Sequence, residues 1–361
     1  MIKVAPMNFT FSMDVLAPAT VRKTYNIGII GAGFIVQECH IPAYLKAGFP
    51  VAGIASRSVE SARRVAERFQ LPKAYGSVDE LLSDPEVEVV DIAVPPHEQL
   101  EVIRKAAKAG KHILAQKPIA MNLSQARQIV RICQEAGVKL VINQNGRFDP
   151  AIQGAKSLLD RGYVGKPVMA TIELRFQPHW QPYQLEYDRL MFLFMSIHHL
   201  DQFRFLFGLP ERLYASSIPH PEGKFKGDYI TSYILNYANG MMATAWDDGF
   251  TWDEQGFGVF YKIEGTDGVV KMNIGWPSGG PSTLSFYSKK AGGVWCTPDL
   301  PGSWFPDAFH HTMGELFRTI ETGDESPLSG ENNLATMAMV EACYMSDQEK
   351  RSVTIAEVLD N

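Results

Sequence analysis

Ile27-Gly28-Ile29-Ile30-Gly31-Ala32-Gly33-Phe34-Ile35-Val36 is the stretch on which the fold turns. Residues 25–30 read as a buried strand. Two glycines follow at once, and residues 34–47 then take on helical texture. A dinucleotide phosphate site requires this context. Gly31 permits the tight turn and Gly33 lets the backbone approach a pyrophosphate. The helix N-terminus offers free N–H groups to that anion. The third glycine of the usual pattern is Val36 here, at the position that governs helix–strand packing.

Outward from this turn, short apolar runs alternate with amphipathic segments. Residues 51–55, 87–94, 111–115 and 138–143 read as strands. Residues 58–69, 77–82, 97–109 and 123–136 read as helices. Ser58 is a capping residue, with Ala62, Val65, Ala66 and Phe69 forming the apolar stripe behind it. Gly110 and Gly137 close two of the helices, and Pro42 is expected to break the first one locally. Strands alternating with helices imply a parallel sheet covered on both faces, an α/β Rossmann domain. After Asn143 the texture changes. Residues 150–161 and 197–207 look helical and 166–176 extended. Residues 213–217, 229–237, 241–247, 258–264, 269–273 and 283–287 read as successive strands, with Asn239-Gly240 and Asp267-Gly268 as hairpin turns. Helices at 306–321 and 331–346 complete an α+β domain with a large, mostly antiparallel sheet. The chain thus divides into an N-terminal arm (1–24), a dinucleotide-binding domain (25–147) and a substrate and oligomerisation domain (148–361). The final helices are free to pack back onto the first domain.

Composition narrows the function. A chain of 361 residues exceeds one ordinary core. A net charge of −6 lacks the positive field that nucleic acid demands, so the expected partner is a small molecule. No apolar run approaches the ~20 residues of a membrane span. Cys39, Cys133, Cys296 and Cys343 stand far apart, which suits free thiols in the reducing cytoplasm. No HExxH or clustered cysteines call for a metal.

At the end of the second strand Ser56-Arg57-Ser58 stands where a carboxylate would bind a ribose 2′-hydroxyl. A guanidinium suits a 2′-phosphate, favouring NADP over NAD. Lys117, held extended before Pro118, lies at the carboxyl edge of the parallel sheet, where ligands bind. His198 and His199 adjoin on an apolar helix, which turns them to different faces. One is a candidate base and the other reading is a satisfied core pair. Arg147, at the exit of the last parallel strand, either binds substrate or locks the domain interface. Trp180 and Tyr183 lie in a Pro-rich loop able to face a sugar ring.

These residues together resemble the glucose–fructose oxidoreductase, inositol dehydrogenase and MocA family over almost the whole chain. The blocks that carry the resemblance are Gly31 to Ile35 with His40-Ile41-Pro42-Ala43, Val94-Pro95-Pro96 with Ala107 to His112, and Gln116-Lys117-Pro118-Ile119-Ala120. Ile197 to Asp201 and Ile263 to Gly268 complete them. The resemblance implies hydride transfer between NADP or NAD and a secondary alcohol or ketone of a sugar or cyclic polyol. It implies cofactor contacts at Gly31, Gly33, Phe34, Ile35, Pro95, Pro96, Gln116 and Asn145. Lys117 would serve both nicotinamide and reacting oxygen. The resemblance makes His198, rather than His199, the catalytic histidine; His199 beside it, Arg147 at the strand exit and Tyr183 in the Pro-rich loop are the expected substrate-side residues. A homodimer or homotetramer is also implied. The chain departs from the family pattern at Gln116 (usually Glu), Phe194 (often Asp), Ser196 (Gly) and Gln99 (His). Two other functions compete. One is a glycosidase or lyase with transient oxidation, using an acid/base such as Tyr183 or Asp188. The other is a non-catalytic nucleotide-binding regulator.

Overall fold

The computed structural model describes residues 23–177, 181–275 and 280–360. Most of the expected N-terminal arm, and Trp180, lie outside the described residues. The first sheet contains β1 (Ile27–Ile30), β2 (Val51–Ala55), β3 (Val89–Ile92), β4 (His112–Gln116) and β5 (Leu140–Asn143). All its pairings are parallel, in the order β2-β1-β3-β4-β5. The chain therefore leaves β1 to one side and returns for β3 on the other. The crevice beyond the carboxyl ends of β1 and β3 is the topological switch point, where open α/β sheets bind ligands. The strands are almost wholly buried because helices cover both faces.

The helix after β1 departs from expectation in one detail. Pro42 does not break it: the proline sits in the first turn of α1 (Ile41–Lys46), and a π turn at Val36–His40 precedes it. The Ile41 N–H bonds to the Val36 carbonyl. That wider turn relieves the ladder where Pro42 offers no N–H and its ring would crowd a carbonyl. The helices α2 (Val59–Phe69), α3 (Val78–Ser83), α4 (Pro96–Lys108) and α5 (Leu123–Glu135) follow as read. Ser58 caps α2 by accepting from the Ser61 N–H at 3.3 Å.

Beyond α6 (Pro150–Asp160) lies the second sheet. Its strands are β6 (Pro167–Arg175), β7 (Arg212–Ile218), β8 (Ile230–Asn236), β9 (Met242–Asp248), β10 (Gly258–Gly265), β11 (Gly268–Ile274) and β12 (Thr283–Ser288), with short edges β13 (Val294–Cys296) and β14 (Val353–Thr354). The order is β13-β12-β11-β10-β6-β9-β8-β7-β14, antiparallel except for β6 beside β9. Helices α6, α7 (Ile197–Phe207) and α9 (Gly330–Glu349) pack against this sheet and one another. Alternate side chains on the opposite face, among them Tyr214, Ile234, Met242, Trp246 and Phe260, remain exposed. Helix α8 (Ala308–Thr322) returns to the first sheet: Met313, Leu316 and Phe317 share a core with Leu114 of β4 and Val141 of β5. A last helix, α10 (Ile355–Asp360), follows β14.

Candidate active site

The turn after β1 is shaped by glycine. Gly31 has φ +123°, and a Cβ there would stand 2.3 Å from the Ala93 carbonyl oxygen at the end of β3. Only glycine permits that approach. A Cβ on Gly33 would meet nothing within 4 Å, because Gly33 faces the open crevice. The crevice holds about 490 Å³. Gly31, Gly33, Phe34, Ile35, Ser56, Arg57, Pro95, Pro96, Gln116, Lys117 and Asn145 all line it, together with His198 and Tyr183.

Lys117 leaves the end of β4, and its Nζ donates to the Phe194 carbonyl at 2.6 Å. Phe194 belongs to a second π turn, Phe192–Ser196, that runs into α7. An irregular turn frees a carbonyl from the helical ladder, and here it receives an ammonium. Burial pushes the Lys117 pKa down to about 7. His198, in the first turn of α7, packs edge-on against Trp304 at 5.1 Å between ring centroids. Its Nδ1 is sealed without a hydrogen-bond partner, which leaves Nε2 as the ring nitrogen toward the crevice. Burial, and then the nearby Lys117 and His199, hold its pKa well below the usual imidazole value. The pair therefore meets across the crevice as an easily deprotonated ammonium and a neutral imidazole.

Two family models match the chain. One, described as the oxidoreductase family, NAD-binding Rossmann fold, covers residues 25–144. The other, the C-terminal alpha/beta domain of the same family, covers residues 156–355. The chain belongs to the Gfo/Idh/MocA oxidoreductase family. It is 29% identical to a D-apiose dehydrogenase of Rhizobium rhizogenes, over 92% of this chain and 97% of that one. It is 27% identical to an inositol 2-dehydrogenase of Rhizobium meliloti, over 92% of this chain and all of that one. An oxidoreductase from Agrobacterium radiobacter, solved with NAD+, L-tartaric acid and magnesium, superposes with a TM-score of 0.81 at 25% identity. That match covers 93% of this chain and 99% of that one. The protein is an NAD(P)-dependent oxidoreductase. The residues present fit a dinucleotide: space stands open above Gly33, a helix begins behind it, and the crevice volume is ordinary for a ligand of this kind.

Within this Gfo/Idh/MocA framework two expected substrate residues are placed elsewhere. His199 does not line the crevice. It is buried, its Nδ1 lies 2.8 Å from Asp247 Oδ1, and its ring meets Tyr261 edge-on. Neighbours on a helix diverge by about 100°, so only one of the two histidines reaches the cavity. Arg147 is also withdrawn. It binds Asp201 with both Nε (2.6 Å) and Nη2 (2.7 Å), and Nη1 donates to the Pro327 carbonyl at 3.1 Å. These three bonds tie the exit of β5 to α7, a geometry that matches the second of its two sequence readings. Tyr183 stands at the rim, packed on Tyr187. Arg57 is exposed and contacts Glu98 at 3.1 Å.

The sequence reading missed four contributors. Phe194, in the position where the family often has Asp, turns its ring onto Tyr187 at 5.7 Å and offers its backbone oxygen instead. Trp304 and Phe309 form a wall from the segment entering α8. The Trp304-Phe305-Pro306 cluster was the available signal. Asp91, a carboxylate inside the apolar run of β3, signalled a buried polar partner and has one in His40.

Proposed function

We propose that this oxidoreductase transfers a hydride between NADP and the secondary alcohol or ketone of a neutral sugar or cyclic polyol. The observation that carries the reading is Lys117. It is half-buried, with its ammonium anchored by the Phe194 carbonyl beside His198 and its pKa pushed down to about 7. The names of the apiose and inositol dehydrogenase relatives support the substrate class. The nicotinamide, when bound, accepts or donates the hydride. Lys117 Nζ holds or releases the proton of the reacting oxygen, and His198 Nε2 orients that oxygen. Gly31 to Ile35 would hold the pyrophosphate, Ser56 and Arg57 the adenosine ribose, and Pro95, Pro96, Gln116 and Asn145 the remaining floor. Arg57, freed from Glu98, would pair with a 2′-phosphate.

Among the described lining residues on the substrate side, Lys117 is the one formally charged group; Arg57 and Glu98 stand at the far end, beyond β2. Phe176, Tyr183, Phe194 and Trp304 offer aromatic faces there. This lining supports a neutral ring and disfavours sugar acids and phosphates. Four free cysteines support a cytoplasmic location. The exposed face of the second sheet supports self-association. The test is a panel of neutral sugars, inositols and sugar acids with both nicotinamides, followed by absorbance of the reduced form. Turnover of a neutral polyol that vanishes in Lys117→Ala, with nucleotide binding retained, is the expected outcome. Undiminished turnover in that variant refutes the assignment. Bond cleavage without net reduction would favour the lyase reading instead.

A further inference from the structure

Behind the crevice floor, joined to it through Gln116 and Asn145, runs a buried polar network whose centre the proposed chemistry does not use. His40, at the end of the first π turn, and Asp91, in β3, are both fully buried. His40 Nδ1 lies 2.5 Å from Asp91 Oδ2, and the Tyr44 hydroxyl donates to the same oxygen at 2.8 Å. Two carboxamides approach the other ring nitrogen, Nε2: Gln116 at 3.1 Å and Asn143 at 3.4 Å.

Groups that can only donate fix the direction of every bond. The Lys117 backbone N–H donates to Gln116 Oε1 at 2.8 Å, so the amide end of Gln116 is the end that faces His40. The Trp304 indole N–H donates to Asn145 Oδ1 at 2.7 Å. The amide of Asn145 then donates to Asn143 Oδ1 at 3.2 Å, which turns the amide of Asn143 toward His40. Two donor chains, starting at opposite walls of the crevice, end on one nitrogen. That nitrogen must present a lone pair, so the ring proton sits on Nδ1 and is given to Asp91.

We propose that His40 is a positioning residue, a buried acceptor locked by Asp91 in its Nδ1–H form, which holds the Lys117 wall and the Trp304 wall in register. The inference does not rest on the substrate. It explains why position 116 carries an amide in this chain: a carboxylate there has no N–H to give, and His40 could meet it only by protonating Nε2 as well.

The test uses the full chain labelled with nitrogen-15 at histidine. Long-range proton–nitrogen correlation at neutral pH reads each ring's tautomer, with His40 assigned by elimination from single substitutions of the other histidines. The wild type is expected to show His40 neutral, protonated on Nδ1. Gln116→Glu is expected to show both His40 nitrogens protonated. Gln116→Asn, which keeps an amide, should leave the neutral form in place. A general loss of stability would change none of these signatures. A wild-type His40 protonated on Nε2, or a Gln116→Glu variant with unchanged His40 signals, would overturn the proposal.

Discussion

Lys117 gives its ammonium to a carbonyl, and that choice sets what the residue can do near neutrality. A carbonyl orients the charge without the strong stabilisation a carboxylate supplies, so burial dominates and the pKa falls to about 7. Alcohol oxidation needs the neutral amine and ketone reduction needs the ammonium. Hence kcat/KM for oxidation is expected to rise through about pH 7 and that for reduction to fall over the same interval. Flat profiles in both directions would exclude Lys117 as the proton carrier. Folding is linked to the same shift. The folded pKa lies below the unfolded 10.5, so below about pH 7 the full cost of burying the charge is present. That cost disappears as pH climbs toward the unfolded value. Lys117→Met is therefore expected to melt higher than the wild type at pH 6, by about 1–3 kcal/mol, with the advantage shrinking toward pH 10. At the other end of the crevice, Arg57→Ala should weaken NADPH about tenfold while leaving NADH nearly unchanged in fluorescence titrations. Lys117 and the glycine pair were legible because their meaning is local: a glycine turn after a strand, a lysine at a strand's carboxyl end. The roles of His199 and Arg147 were not. Their partners, Asp247 and Asp201, lie 48 and 54 residues away, and only the fold says whether a polar side chain meets a carboxylate or the cavity.

The elements make sharper demands than their sequence patterns suggest. Gly31 and Gly33 look equivalent in the chain, yet their surroundings separate them. Gly31→Ala drives a methyl into the Ala93 carbonyl at a positive φ, and should cost about 2–4 kcal/mol of stability. Gly33→Ala touches nothing among the described residues, so its melting temperature should match the wild type while nucleotide affinity drops. Equal destabilisation of both variants in paired thermal melts would contradict this. The Arg147–Asp201 pair clamps β5 to α7. Asp201→Asn strands a buried guanidinium and should cost about 3–5 kcal/mol in denaturant unfolding. The longer strands and helices were readable from apolar periodicity, but the six-residue α10 was not, because fewer than two turns give a stripe too few positions to register. The two π turns were not, because a single widened turn barely alters a 3.6-residue pattern. The edge strands β13 and β14, three and two residues long, carry too few positions for an alternation to register.

At the scale of the whole molecule, the outer face of the second sheet carries no covering layer among the described residues. Trp246 of β9 and Phe260 of β10 flank Glu173 of β6, while Tyr214 of β7 stands opposite Ile234 of β8. Arg175 pairs with Glu173 and lies over the Trp246 ring. The face thus holds apolar area and both signs of charge, a combination that can complement its own copy. If this face carries the proposed self-association, Trp246→Glu should lower the mass read by light scattering relative to the wild type; an unchanged mass would exclude the face from that role. The return of α8 has another consequence, set by the order in which the chain is made. Leu114 and Val141 emerge from the ribosome well over a hundred residues before Met313 and Phe317, which cover them. At typical synthesis rates this leaves one side of the nucleotide-binding half greasy and uncovered for on the order of ten seconds or more. A nascent chain halted before α8 is an expected client of holding chaperones, and a fragment ending near residue 150 should precipitate when expressed alone.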